Sequence, residues 1–192
     1  MKNNGGIKRA VELLKESMEG IPTVKKGDYL YFIHPLTDGV PFIEPSILEA
    51  VTEAFKELLP EGVERIVTVE AMGIPMATSL SLQTGIPFTI VRKRSYGLEG
   101  ERKVVQVTGY SRSNLYINGL EKGMRVVIVD DVLSTGGTLK AVVTTLKDMG
   151  VDILRVLMVF NKMKDLEAFS EELGVEIIPL LNVFVEGEKL IY

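Results

Sequence analysis

Cysteine and tryptophan are both absent from this 192-residue chain, and histidine occurs once. Without cysteine there are no disulfides, no thiolate nucleophile and no thiolate zinc site. A single imidazole, His34, removes every site that needs two. It precedes Pro35 among turn residues and reads as a packing or surface residue rather than a catalyst. Apolar runs approaching the roughly 20 residues needed to span a bilayer are also missing. Met1-Lys2-Asn3-Asn4-Gly5-Gly6 leads into an amphipathic segment rather than a signal peptide, so a cytoplasmic protein is expected. The formal net charge of −4 argues against nucleic acid as a partner. What remains, 46% hydrophobic and 25% charged, is ordinary globular material sized for one domain over residues 1–192.

Helical and strand-like segments alternate along that material. Ile7 to Met18 has one apolar face, Tyr29 to Ile33 is strand-like, and Pro45 starts a helix running to about Leu59. Arg65 to Val69, Phe88 to Val91, Val126 to Val129 and Leu154 to Phe160 read as strands. Helices are expected over Met76 to Gln83 and Leu139 to Met149. The order predicts an α/β fold with a central, largely parallel sheet flanked by helices, whose ligands collect at the carboxyl ends of the strands.

The most informative stretch runs from Arg125 to Thr138. Four β-branched residues, Val126 to Val129, suit a strand buried on both faces. Ser134, Thr135, Gly136, Gly137 and Thr138 supply hydroxyls and closely approachable N–H groups, and a helix N-terminus follows to favour a phosphate. Neither a Walker loop nor a dinucleotide glycine pattern is present. Between strand and loop stand Asp130 and Asp131, two adjacent acceptors suited to a pair of vicinal hydroxyls.

This stretch resembles the phosphoribosyl-diphosphate signature of the type I phosphoribosyltransferases. The resemblance implies that Asp130 and Asp131 hold the ribose hydroxyls and that Ser134, Thr135, Gly136, Gly137 and Thr138 hold the 5′-phosphate. Glu70-Ala71-Met72-Gly73 resembles the family's pyrophosphate loop, where members often carry a non-proline cis peptide, placed here at Met72-Gly73. Arg92-Lys93 resembles the pair that contacts pyrophosphate, in a run of five cations within twelve residues. Ser95 to Arg112 resembles the mobile flap, with Tyr96, Tyr110 and Ser111 as its site residues. Arg92, Lys93, Asp130 and Asp131 are the residues expected to carry catalysis.

Asn161 and Lys162, at the end of another strand, are the base-binding candidates. Lysine can only donate, which suits a 6-oxo group; a solvated surface lysine is the other reading. Segments 25–45 and 180–192 resemble the hood that covers the base. The chain as a whole is most similar to the archaeal-type hypoxanthine/guanine branch of the family. That implies transfer of phosphoribosyl from phosphoribosyl diphosphate to hypoxanthine or guanine, with Mg2+ and in a homodimer. Adenine or xanthine transfer, or a regulator that senses phosphoribosyl diphosphate without turnover, are the alternatives. Ser134 stands where many hypoxanthine-guanine members carry aspartate, and Gly109 where adenine members carry glutamate, so no general acid or base is assigned.

Overall fold

The computed structural model describes residues 5–26, 29–107, 112–186 and 189–192. From helix α1 (Gly5–Ser17) the chain enters a hairpin of β1 (Thr23–Lys26) and β2 (Tyr29–Phe32), then α2 (Pro35–Asp38) and α3 (Pro45–Leu58). Next come β3 (Arg65–Val69), α4 (Gly73–Thr84), β4 (Phe88–Val91), and a second hairpin of β5 (Arg102–Val107) and β6 (Arg112–Ile117). Strand β7 (Arg125–Leu133), α5 (Gly137–Asp148), β8 (Asp152–Asn161), α6 (Leu166–Leu173) and β9 (Ile177–Asn182) follow. A short hairpin, β10 (Phe184–Glu186) and β11 (Lys189–Ile191), comes last.

Five strands pair in the order β4-β3-β7-β8-β9, every neighbour parallel. This is the parallel, helix-flanked sheet that the alternation predicts. Successive side chains of a strand point to opposite faces, and both faces are buried. Ile66, Val127, Val129, Leu157 and Val159 enter a core shared with α1, α3 and α4. Val67, Val126, Ile128, Val156 and Met158 enter the other, shared with α5 and the β5–β6 hairpin. Each such residue, fully buried, contributes about 1.5–3 kcal/mol. A strand sandwiched this way must read as continuous β-branched sequence, as Val126 to Val129 does.

The helices begin earlier than the apolar periodicity suggests, α4 at Gly73 and α5 at Gly137. Strand β7 likewise runs on through both acids to Leu133, because its pairing with β8 continues to Leu133–Asn161. At the other end of the chain, the Glu57 carboxylate accepts from the free N–H groups of Gly6 (2.8 Å) and Ile7 (3.3 Å). It thereby caps α1 and fixes it against α3.

The connections place the site. Helix α4, after β3, crosses one face of the sheet, with Met76, Ala77 and Leu80 in that core. Helix α5, after the neighbouring β7, crosses the other, with Val142, Val143 and Leu146 in the second core. Two adjacent strands whose continuations part to opposite faces leave a crevice beyond their carboxyl ends. Loop 70–72 forms one wall of it and loop 134–136 the other.

Candidate functional site

The loop after β7 lines a cavity of about 110 Å³. Asp130, Ser134, Thr135, Gly136, Gly137 and Thr138 all contribute to it, so the acid, the hydroxyls and the glycines expected around a phosphate meet in one place. Gly136 has φ +76°, and a Cβ there would fall 2.5 Å from the Phe169 ring. Only glycine fits both the left-handed turn and the close approach. Helix α5 then presents its free N–H groups and positive end toward the cavity.

Asp131 does not line this cavity. Its carboxylate accepts from the Asp130 carboxyl and from the backbone N–H groups of Asp131 and Val132, and it feels the charge of Asp38. Burial pushes Asp131 up to about 6 despite those donors. Asp130 is raised well above the usual carboxylate range, first by burial and then by the neighbouring Asp131 charge. The pair therefore holds a proton where isolated aspartates would not.

Across the crevice the backbone approaches very closely. A Cβ on Gly73 would fall 2.1 Å from Thr68 Oγ1 and 2.5 Å from Asp130 Oδ1. Gly73 thus lets the start of α4 reach the acid on the neighbouring strand. The cis peptide of this loop is Glu70-Ala71, not Met72-Gly73 as the sequence suggests. Met72 already has helical angles (φ −81°, ψ −16°) and leads directly into α4, which requires a trans bond there.

Glu70 organises the cations beside this loop. Its Oε2 lies 2.6 Å from Arg92 Nε, as an ion pair off the line of a hydrogen bond, and its Oε1 accepts from the Lys93 N–H at 2.7 Å. Arg92 is also bridged to Tyr116 by backbone hydrogen bonds of 2.9 and 2.7 Å, tying the end of β4 to β6. Ala71 is exposed and Met72 half-buried.

Much of the segment expected to be a mobile flap carries hydrogen-bonded structure of its own. Glu101 accepts from Ser95 Oγ, Asn118 Nδ2 (2.9 Å) and the N–H groups of Tyr96 (2.9 Å) and Gly97 (3.2 Å). Gly97 and Gly100 are turn residues within that ring, and β5 starts at Arg102. Tyr96 is exposed beneath the Arg94 guanidinium, 5.7 Å away. Gly109, Tyr110 and Ser111 lie outside the described residues.

A second cavity, of about 140 Å³, opens next to the first. Val132 and Ser134 line both. Tyr31 and Phe32 form its aromatic wall, and Thr37, Asp38 and Lys162 are its other polar members. Lys162 Nζ stands 5.0 Å from the Phe32 ring and 5.5 Å from that of Tyr31. The residues Tyr31, Phe32, Thr37 and Val132 were not singled out from sequence as site residues. They arrive from β2, α2 and β7, and no motif links them.

Asn161 departs from expectation. It is 1% exposed, and its amide bonds the Met163 N–H and C=O (2.9 Å each) and Asn182 Oδ1 (2.8 Å). Both of its amide hydrogens are used inside the fold, so the side chain shapes the turn that carries Lys162. His34 is fully buried as expected of a packing residue, edge-on to Phe160 at 4.8 Å. Its Nδ1 accepts from the Leu36 N–H (3.1 Å), so Nε2 carries the proton and donates to Ser17 Oγ (2.9 Å). Burial holds it down at about 4.

Comparison with known proteins agrees with this geometry. Residues 43–190 match the family described as phosphoribosyl transferase domain. A protein of Methanobacterium paludis named hypoxanthine/guanine phosphoribosyltransferase is 52% identical over 180 residues, spanning 94% of this chain and 95% of its own. One of the same name from Methanosarcina mazei is 52% identical over 179 residues, 93% and 94% of the two chains. Among solved structures, adenine phosphoribosyltransferase of Thermoanaerobacter pseudethanolicus superposes with a TM-score of 0.70 at 24% identity, covering 90% of this chain and 99% of its own. The Leishmania donovani adenine enzyme gives 0.74 at 18% identity, over 90% and 79%. At such identities the structural likeness speaks for the fold alone.

Proposed function

The chain belongs to the phosphoribosyl transferase domain family, and from that premise we propose that it moves the phosphoribosyl group of phosphoribosyl diphosphate to a 6-oxopurine, hypoxanthine or guanine, releasing pyrophosphate. The observation that carries this reading is the shared wall: the anion cavity and the aromatic cavity adjoin at Val132 and Ser134. A sugar phosphate in the first would present C1′ toward a planar base in the second.

Asp130 and Asp131 accept the ribose hydroxyls, and Ser134 to Thr138 take the 5′-phosphate with hydroxyl and backbone donors. Loop Glu70 to Gly73 contacts the pyrophosphate, together with Arg92 and Lys93, which stabilise its departing charge. Glu70 acts there by positioning, since its carboxylate is already engaged by the Arg92 guanidinium and the Lys93 backbone N–H. Lys162 donates to the 6-oxo group. Bond breaking at C1′ gives an oxocarbenium-like state that N9 attacks, so alignment of the two cavities is the main contribution. The hairpins β1–β2 and β10–β11 form the hood over the base.

Among the described residues no group of three or more acidic or imidazole side chains could cage a metal. Two adjacent carboxylates are nevertheless hard oxygen donors of the kind magnesium takes alongside water and phosphate oxygens. The site thus fits an ion that arrives with the diphosphate, near Asp130 and Asp131. Such an ion neutralises the charge of the pyrophosphate leaving group. A homodimer in the cytoplasm completes the reading; no described helix is long and apolar enough to cross a membrane.

Turnover with phosphoribosyl diphosphate, magnesium and each of adenine, hypoxanthine, guanine and xanthine tests it. Product with hypoxanthine or guanine and none with adenine is expected. Product with adenine alone would overturn the base assignment, and none with any base would favour a ligand-sensing regulator.

A further inference from the structure

The aromatic cavity pairs a donor with an acceptor. Lys162 brings a cation, and Asp38 an anion. The position of Asp38 is set by its own short helix. His34 caps α2 through its ring, Gly39 ends it in the left-handed conformation (φ +70°), and Asp38 Oδ2 accepts from the His34 N–H (3.0 Å) and Thr37 Oγ1 (2.6 Å). Burying His34 beneath this turn makes α2 part of the core rather than a loose rim. Two of the roughly four acceptor sites of the carboxylate are thereby taken by its own turn, at a cavity already furnished with Lys162.

A 6-oxopurine carries a matching row of groups along one edge: the oxygen at C6, an N1–H, and whatever stands at C2. If Lys162 takes the 6-oxo group, the neighbouring acceptor meets N1–H and the C2 substituent. Resting on the purine-transfer reading above, we propose that Asp38 is the specificity-determining residue for the C2 position, accepting from N1–H and from the 2-amino group of guanine while disfavouring a 2-oxo group. Guanine supplies two donors to the carboxylate, hypoxanthine one, and xanthine opposes an acceptor to an acceptor.

The test is kcat/KM for guanine, hypoxanthine and xanthine at saturating phosphoribosyl diphosphate and magnesium, for the wild type and for Asp38→Asn. Because Asp38 is exposed at the cavity mouth, the expected discrimination is about tenfold rather than the far larger ratios of sealed sites. The wild type should use guanine about tenfold better than xanthine, with hypoxanthine between. In Asp38→Asn, whose amide can donate to a 2-oxo group, the guanine/xanthine ratio should fall by about tenfold. Equal losses for all three bases, leaving the ratio unchanged, would reduce Asp38 to a shaper of α2 and overturn the proposal. Should the variant not fold, the wild-type order decides, and xanthine used as well as guanine overturns it. Should the wild type turn over no base, the transfer reading fails first. Calorimetric titration with the same three bases then judges Asp38 separately, and xanthine bound as tightly as guanine sinks it.

Discussion

The aspartate pair at the end of β7 and Glu101 in the turn before β5 have surroundings that pull them in opposite directions. Asp130 and Asp131, at the end of β7, are raised by burial and by each other, Asp131 to about 6. Glu101 is pulled down to about 2, first by the Ser95 hydroxyl and then by the Tyr96 N–H, the Asn118 amide and others. The same chemical group is stripped of water in one place and ringed by donors near the surface in the other. The ringed carboxylate organises its own chain. The buried, mutually repelling pair gains most from a ligand that brings O–H groups or positive charge, which is what a ribose with magnesium offers.

The contrast can be broken most directly at Asp131. Asp131→Asn is expected to lower affinity for phosphoribosyl diphosphate by about a hundredfold, with much less effect on free purine, by calorimetric titration of each. Equal losses would remove its ribose role.

A smaller effect separates the pair by pH. The unfolded chain releases the Asp131 proton near 3.8 and the folded one near 6, so the pair's contribution to stability falls as pH rises from 4 to 6. His34 runs the other way: its folded value of about 4 lies below the ordinary 6.5. Over that window the unfolded state takes up a proton that the native state refuses, and this contribution rises with pH. The two partly cancel. Asp130→Asn/Asp131→Asn should leave the His34 slope, with a melting temperature roughly 5 °C higher at pH 6.5 than at 4.5. His34→Asn, which can still cap α2, should expose the opposite slope. Parallel profiles for the two variants would refute the assignment.

The smallest effect is expected at Glu101. Its ring of hydrogen bonds is exposed, so Glu101→Gln should move the melting temperature by no more than about 2 °C. Cleavage by protease within residues 95–101 should nevertheless quicken. An unchanged digestion rate would mean that the ring does not hold the turn.

What could be read from sequence divides along the same line. The acids, glycines and hydroxyls of the phosphate cavity are contiguous, and their chemistry is dictated by residue type and order, so one stretch announced them. The aromatic cavity draws Tyr31, Thr37, Val132 and Lys162 from separate elements, and only the sheet brings them together. The engagement of Asn161 in its own turn is not legible, because a polar residue at a strand end looks the same whether it faces solvent, ligand or that turn. The glycines after Arg94 announce turns but not the hairpin that follows them. The burial of Val104, Leu115 and Ile117 that makes a hairpin of it depends on α5, which lies further along the chain. The position of the cis bond left no trace in residue type at all.

Val132 and Ser134, which serve both cavities, sit two residues apart where β7 ends. Any drift of this strand tip carries the partition between the compartments with it. The gap that a reacting sugar carbon must bridge to a ring nitrogen is consequently gauged at one short stretch of backbone, anchored by the pairing of β7 with β8 that continues to Leu133. The outlying hairpins can vary in sequence or length without resetting that gauge.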